Sequence, residues 1–213
     1  MDREEMASIA RDGWGTVAPA YVQALFHELD HKPFDRERLD GFATAVLSGT
    51  TTIDIGCGPG HVGLYLSERG VTVLGLDLSP PMIAEARRIQ PDAQFAVGNV
   101  LVLEMPDETF GGALAMYSLI NLVREDLPVA MREIFRVLKP GSPFLMSVHR
   151  GEDRLVAEQI FDQPVRMVVT LFEPDEVRAA AARAGFVIDA VEVRGPYETE
   201  FQHERVYLRA HRP

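Results

Sequence analysis

From residue 50 onward, short apolar runs alternate with segments whose apolar residues recur at helical spacing. The runs predict strands near 51–55, 71–76, 93–97, 110–117 and 143–149. Between them lie predicted helices over 60–69, 81–89 and 125–138. Lys139-Pro140-Gly141 stops the last of these, because proline cannot continue a helix and glycine supplies the turn. Such alternation demands crossover connections, and so predicts a mainly parallel sheet covered on both faces. Upstream, Val17, Tyr21, Leu25 and Leu29 recur every four positions and predict a helix over 17–30. A second is predicted over 36–47, with Asp35 as its N-cap. After His149 the rhythm breaks. A polar stretch and a strand-like run from Val165 to Thr170 precede a helix from Asp175 to Ala184, closed by Gly185. Two last strands, about 186–194 and 204–210, flank Gly195-Pro196 and read as a hairpin at one sheet edge.

A length of 213 residues suits one α/β domain with appendages. The formal charge of −11, with Lys and Arg scattered along the chain, argues against a nucleic-acid partner, since phosphate binding needs clustered cations. A small-molecule ligand is the expectation. The single cysteine, Cys57, excludes an internal disulfide. Met1-Asp2-Arg3-Glu4-Glu5 is unlike a secretion signal, and the most apolar stretch, Gly111 to Val123, is too short to cross a bilayer. These features predict a cytoplasmic protein without a membrane partner.

The candidate chemistry lies where the first predicted strand ends. Ile53-Asp54-Ile55-Gly56-Cys57-Gly58-Pro59-Gly60 carries glycines at alternate positions between a strand and a helix, so the backbone can bend sharply and lie close to a ligand. The second strand ends in Asp77, about twenty residues beyond the first glycine, where a ribose-binding carboxylate is expected. Together these predict a nucleoside cofactor. Gly58-Pro59-Gly60-His61-Val62-Gly63 also spells the G-x-G-x-x-G string of dinucleotide binding, which makes a NAD-dependent oxidoreductase the rival reading. The string starts two residues late for that fingerprint, and Gly56 takes its place.

Over roughly residues 40–213 the chain resembles the class I S-adenosylmethionine-dependent methyltransferases. Four segments carry the resemblance in order: Asp54 to Gly60, Gly75-Leu76-Asp77-Leu78-Ser79-Pro80-Pro81-Met82, Glu133 to Gly141, and Ala184-Gly185-Phe186. The resemblance implies a Rossmann-like, doubly wound α/β fold with a seven-stranded sheet, mainly parallel with an antiparallel last strand, in the order 3-2-1-4-5-7-6. It implies one domain over 1–213: an N-terminal helical lid (1–48), a cofactor-binding core (49–149), a substrate-side insert (150–172), and a C-terminal helix with an edge hairpin (173–213). The implied cofactor is S-adenosyl-L-methionine, with S-adenosyl-L-homocysteine as product and a small-molecule methyl acceptor as partner.

The resemblance also implies roles by position. The backbone of Gly56, Cys57, Gly58 and Gly60 passes beneath the methionine part of the cofactor, and Asp77 accepts both ribose hydroxyls. Leu78 and Met82 sandwich adenine. Asn99, where relatives often carry aspartate, accepts from the adenine amino group beside Val100. Met116, Tyr117 and Ser118 lie under the sulfonium. Tyr21 and Trp14 are either lid residues over the cofactor or anchors of the first helix. Asp54 is a cofactor-binding candidate whose other, compatible use is to cap the glycine loop by bonding its backbone amides, and Cys57 is a packing residue. Tyr117 and His149 are the candidate catalytic groups. His149 ends the fifth strand, where an α/β sheet opens onto its ligand, as a general base or as a bond to the next loop. The insert's Phe161, Val165, Met167, Val168, Val169, Leu171 and Phe172, with Arg150, Arg154 and Arg166 among them, imply a compact organic acceptor with an acidic group as an option. A non-catalytic cofactor-binding sensor or scaffold is the other alternative.

Overall fold

The computed structural model describes residues 1–198 and 200–213. Strands β1 (Thr51–Ile55), β2 (Thr72–Asp77), β3 (Gln94–Val97), β4 (Gly112–Met116) and β5 (Pro143–His149) form a parallel sheet around β1. Helices α3 (His61–Ser67), α4 (Pro80–Ile89) and α5 (Leu127–Val137) cross between them. The hairpin β6 (Arg154–Ile160) and β7 (Gln163–Thr170) stands apart as its own two-stranded sheet. Beyond α6 (Pro174–Ala184), strands β8 (Val187–Arg194) and β9 (Arg205–His211) complete the main sheet in the order β3-β2-β1-β4-β5-β9-β8. Counting main-sheet strands alone, this is 3-2-1-4-5-7-6, with β9 antiparallel to both neighbours.

Period-two alternation builds the core on both faces of the central strands. Ala113 and Ala115 of β4, with Phe144, Met146 and Val148 of β5, pack under Met131, Ile134 and Val137 of α5 and Val177 and Ala181 of α6. Leu114 and Leu145 turn the other way, onto Leu39 and Phe42 of α2 (Pro33–Ala45) and onto Val62 and Leu66 of α3. The expected C-cap of α6 is present, with Gly185 left-handed at φ +110°.

Three expectations change. The first helix, α1, runs Arg3–Leu25, not 17–30. Asp2 caps it by accepting the Glu5 N–H at 2.9 Å, and its buried face is made of Met6, Ala10, Gly13 and Val17. Small residues suit its close approach to β7, where a Cβ on Gly13 would meet Met167 at 2.9 Å, but they give a weak apolar stripe. Leu29 falls in a separate short 3₁₀ turn, Glu28–His31. Asp35 is not a cap: α2 starts at Pro33, which leaves Asp35 buried in the first turn. The polar stretch of the insert, to which the sequence assigned no element, contains a strand. β6 and β7 join through Phe161-Asp162, both left-handed (φ +49° and +59°), as a two-residue hairpin turn requires. Phe161 is an unusual occupant of that conformation, so only half of the turn signature is present in the sequence.

Candidate active site

All five parallel strands end at one edge, and the segments leaving them line a single cavity of about 1120 Å³. β1 runs into the glycine loop, whose Gly56 and Cys57 N–H groups donate to Leu76 O at 2.6 and 3.1 Å. Gly56 is left-handed at φ +71°, and a Cβ there would stand 2.1 Å from the Cβ of Ser118. No other residue lets β1 and β4 exit side by side. Gly58 is left-handed too, at φ +53°, with nothing within 4 Å of its missing Cβ, so its backbone lies bare to the cavity. Gly60 departs from expectation and does not line the cavity. It stands at the head of α3, its carbonyl accepting from Gln90 Nε2 at 3.1 Å.

Asp77 takes one amide on each carboxylate oxygen, from Gly58 at 2.9 Å and from Ser79 at 2.8 Å, leaving further acceptor capacity on both. Burial raises its pKa, against the pull of the Ser79, Gly58 and Leu78 amides. Asp54 was expected to cap the loop, yet the Gly58 amide goes to Asp77. Asp54 Oδ2 is buried without a partner, and burial first, then Asp77, lifts its pKa to about 7 against the pull of His61. Cys57 is buried and its thiol is pushed well above its usual pKa, chiefly by burial, as suits a packing residue.

Leu78, the buried Met82, Asn99 and Val100 form the next stretch of wall. Asn99 Oδ1 accepts the Leu101 N–H at 2.9 Å, so the oxygen expected to meet adenine already carries one hydrogen bond. Met116, Tyr117 and Ser118 follow at the tip of β4. Tyr117 is left-handed at φ +52°, a strained state for a bulky side chain that costs about 1–3 kcal/mol. Its backbone and its hydroxyl both hold it there. Its N–H donates to Ser147 O at 2.9 Å, and its hydroxyl meets Tyr207 Oη at 2.5 Å and Asp35 Oδ1 at 3.1 Å. Burial, with Asp35 and Tyr207, raises its pKa well above the usual range. The hydroxyl therefore belongs to a buried hydrogen-bond network with Asp35 and Tyr207.

His149 stacks on the Tyr117 ring with centroids 5.4 Å apart, and its Nδ1 is buried without a partner. Burial first, then Arg205, His203 and Lys32, outweigh Glu200 and lower its pKa to about 3. The ring is neutral at physiological pH. The expected bond from the ring to the next loop is not made by Nδ1; the backbone carbonyl of His149 instead accepts from Phe172 N, beyond β7, at 2.9 Å.

The cover comes from distant parts of the chain. Tyr21 meets Trp14, Phe161 and His61 in ring contacts of 5.7, 6.0 and 6.3 Å. Trp14 Nε1 donates to Asn121 Oδ1 at 3.0 Å, and Arg3 pairs with Asp126. Tyr21 and Trp14 thus both line the cavity and anchor α1. On the far flank Glu28 bridges His61 and Lys32, and Lys32 continues to Glu200. Arg194 joins Glu200 to Asp35 at 2.7 and 2.8 Å. Against a burial penalty, Arg194 and the Tyr197 amide, with Lys32 and Arg205, hold Glu200 at about 2. None of Glu28, Lys32, Arg194 or Glu200 was expected from the sequence, because the contacts that close the cluster, Lys32 to Glu200 and Asp35 to Arg194, join partners more than a hundred residues apart. Arg150, Arg154 and Arg166 do not line the cavity. Arg150 is tied to Glu173 and Glu204 outside it. Among the described residues no cluster of His, Cys, Asp and Glu is arranged to hold a metal ion, and no helix is long and apolar enough to cross a membrane.

Residues 52–141, which hold the glycine loop, Asp77 and the β4 tip, match the family model described as a methyltransferase domain. Over this core the chain is similar to S-adenosylmethionine-dependent methyltransferases. It is 34% identical over 111 residues to the malonyl-[acyl-carrier protein] O-methyltransferase of Serratia marcescens, an overlap of 52% of this chain and 42% of that one. It is 33% identical over 145 residues to the S-adenosyl-L-methionine-dependent Diels-Alderase of Talaromyces variabilis, covering 64% and 47%. The chain spans about half the length of the curated relatives it matches. A crystal structure of a methyltransferase from Methanosarcina mazei superposes with a TM-score of 0.71 at 20% identity, covering 79% of this chain and 95% of that one, which shows the shared fold. The methyltransferase cofactor, S-adenosylmethionine, fits what the residues offer: bare backbone at Gly58, spare acceptor capacity on Asp77 and an unpartnered carboxylate at Asp54.

Proposed function

We propose that the protein transfers a methyl group from S-adenosylmethionine to a small organic acceptor held in this cavity. One observation carries the reading. The glycine loop, Asp77 and the β4 tip at Met116, Tyr117 and Ser118 line one cavity together with residues of α1, the 119–126 segment and the β6–β7 hairpin. The volume exceeds the roughly 300–1000 Å³ usual for one ligand, which leaves room for two.

In this reading Asp77 accepts the ribose hydroxyls, Leu78 and Met82 flank adenine, and Asn99 and Val100 close its edge. The Gly56–Gly58 backbone supports the amino-acid tail, with Asp54 available to positive charge. When bound, the sulfonium supplies both the methyl group and its own leaving group. The chain's part is to hold the acceptor in line and exclude water, a proximity effect worth several kcal/mol. Burial makes His149 a weak base, so deprotonation depends more on the acceptor's own acidity than on a strong protein base.

Calorimetry with S-adenosylhomocysteine and with NAD tests the cofactor half, and the first alone is expected to bind. Turnover of a small-molecule library with methyl-labelled cofactor tests the second half. Selective labelling of a protein or a tRNA would overturn the small-molecule reading. The Talaromyces relative is named for a cycloaddition and not for methyl transfer, so tight cofactor binding with no methylated product would indicate a role without transfer.

A further inference from the structure

The acceptor compartment lies between α1, the 119–126 segment and the β6–β7 hairpin. Its walls include Met6 and Ala10 of α1, Val123, and Leu155, Ala157 and Met167 of the hairpin. Met6 and Met167 are buried in the fold itself, and Met6 and Val123 share one packed cluster with Val168 and Ile9. This end of the cavity is apolar by construction.

The arginines and lysine that reach the cavity are already paired. Among the described residues lining it, Arg3 is held by Asp126 through two nitrogens. Lys32 is held by Glu28 and Glu200. Arg205 is held by Glu200 and by the carbonyls of Phe201 and His203. Arg11 lies on the exposed face of α1, beside Asp12 and Ser8. A carboxylate or phosphate brought into the compartment would find no unpaired arginine or lysine there, and would lose its hydration without replacement. What remains near the β4 and β5 tips is neutral. Ser118 Oγ and His149 Nδ1 are both buried, both without a partner, and both on residues that line the cavity. Either could hold a hydroxyl by one hydrogen bond, Ser118 Oγ as donor or acceptor and the Nδ1 of the neutral ring as acceptor. The low pKa of His149 agrees, since the ring offers no positive charge for an anion.

From this, and resting on the methyl-transfer reading, we infer that the acceptor is an uncharged, largely apolar molecule whose hydroxyl is addressed by Ser118 or by His149. Transfer forms the acceptor's O–CH₃ bond as the S–CH₃ bond breaks; that bond's electron pair returns to sulfur, and the hydroxyl proton leaves to water. The earlier expectation of an acidic group rested on Arg150, Arg154 and Arg166, which lie outside the cavity.

The test uses the full chain saturated with S-adenosylhomocysteine and titrated with two matched series: naphthol, naphthoate and naphthylmethylammonium; and decanol, decanoate and decylammonium. At least one neutral alcohol is expected to bind tenfold or more tighter than both charged members of its series. In Ala157→Arg, which places a cation on the half-exposed hairpin wall, the carboxylates should gain tenfold or more while S-adenosylhomocysteine binds as before. Equal or tighter binding of a carboxylate or ammonium compound to the unaltered protein overturns the inference. So does a saturated protein that binds none of the six. Failure to bind S-adenosylhomocysteine at all sinks the methyl-transfer reading first, and the inference falls with it.

Discussion

The two halves of the cavity are built on opposite principles. The cofactor half is made by neighbours in sequence: β1, its glycine loop and the tip of β2 lie within Thr51–Asp77, and the decisive contact is Gly58 N–H to Asp77. The acceptor half is assembled from α1, the 119–126 segment, the β6–β7 hairpin and, on its flank, a buried charge cluster that joins α2 to β8. A local half tolerates variation elsewhere in the chain. A long-range half is set by packing between remote segments, so it can change its ligand while the sheet stays the same.

If that contrast holds, the two halves should fail differently. Arg194 stands between Asp35 and Glu200, all three side chains at most one-tenth exposed. Arg194→Met would leave Asp35 without its cation and is expected to destabilise the protein by roughly 3–5 kcal/mol in urea unfolding. The affinity of the surviving folded fraction for S-adenosylhomocysteine should change little, because the guanidinium touches neither the glycine loop nor Asp77. A variant as stable as the parent would mean the cluster does not clasp α2 to the sheet.

Asp77→Ala should do the reverse. Losing two hydrogen bonds to a charged acceptor is expected to cost about 3 kcal/mol of binding, more than a hundredfold in Kd for S-adenosylhomocysteine by calorimetry. The melting temperature without ligand should shift little, because the burial that raises the Asp77 pKa works against the ionised carboxylate in the empty fold. Unchanged affinity would remove the nucleoside from this crevice.

What could be read from the sequence divides along the same line. Gly56, Asp77 and the strand order follow from local rules: a turn that admits no Cβ, an acid at a strand tip, alternation that forces crossovers. The hairpin was half legible, since Arg154 to Ile160 is strand-like only once Phe161-Asp162 is accepted as a left-handed turn. Asp35 shows where local rules mislead. Its position after Pro33-Phe34 looks like a cap, yet Arg194, Tyr117 and Tyr207 bury it as an acceptor, and no spacing in the sequence encodes partners in β8, β4 and β9. Trp14 and Asn121 are invisible as a pair for the same reason.

In the parent protein the smallest expected effect is that of pH, because its sign differs between the halves. His149, on the acceptor side, titrates near 3 when folded and near 6.5 when unfolded. Between those values the unfolded chain holds the extra proton, so stability falls as pH drops from about 6.5 toward 3. Asp54, on the cofactor side, titrates near 7 when folded and near 3.8 when unfolded. There the folded chain holds the extra proton, so stability is lost as pH rises from about 4 through 7. Within its own window each group contributes a slope of about 1 kcal/mol per pH unit. The two oppose one another over most of the acid range, and the parent protein should look nearly flat from pH 4 to 6.5. The single variants separate them. His149→Gln should leave a curve that declines as pH rises, Asp54→Asn one that declines as pH falls, and urea midpoints across that range read both. If both variants stay as flat as the parent, neither group is buried as deeply as the fold places it, and the cavity is wetter at both ends than its walls imply.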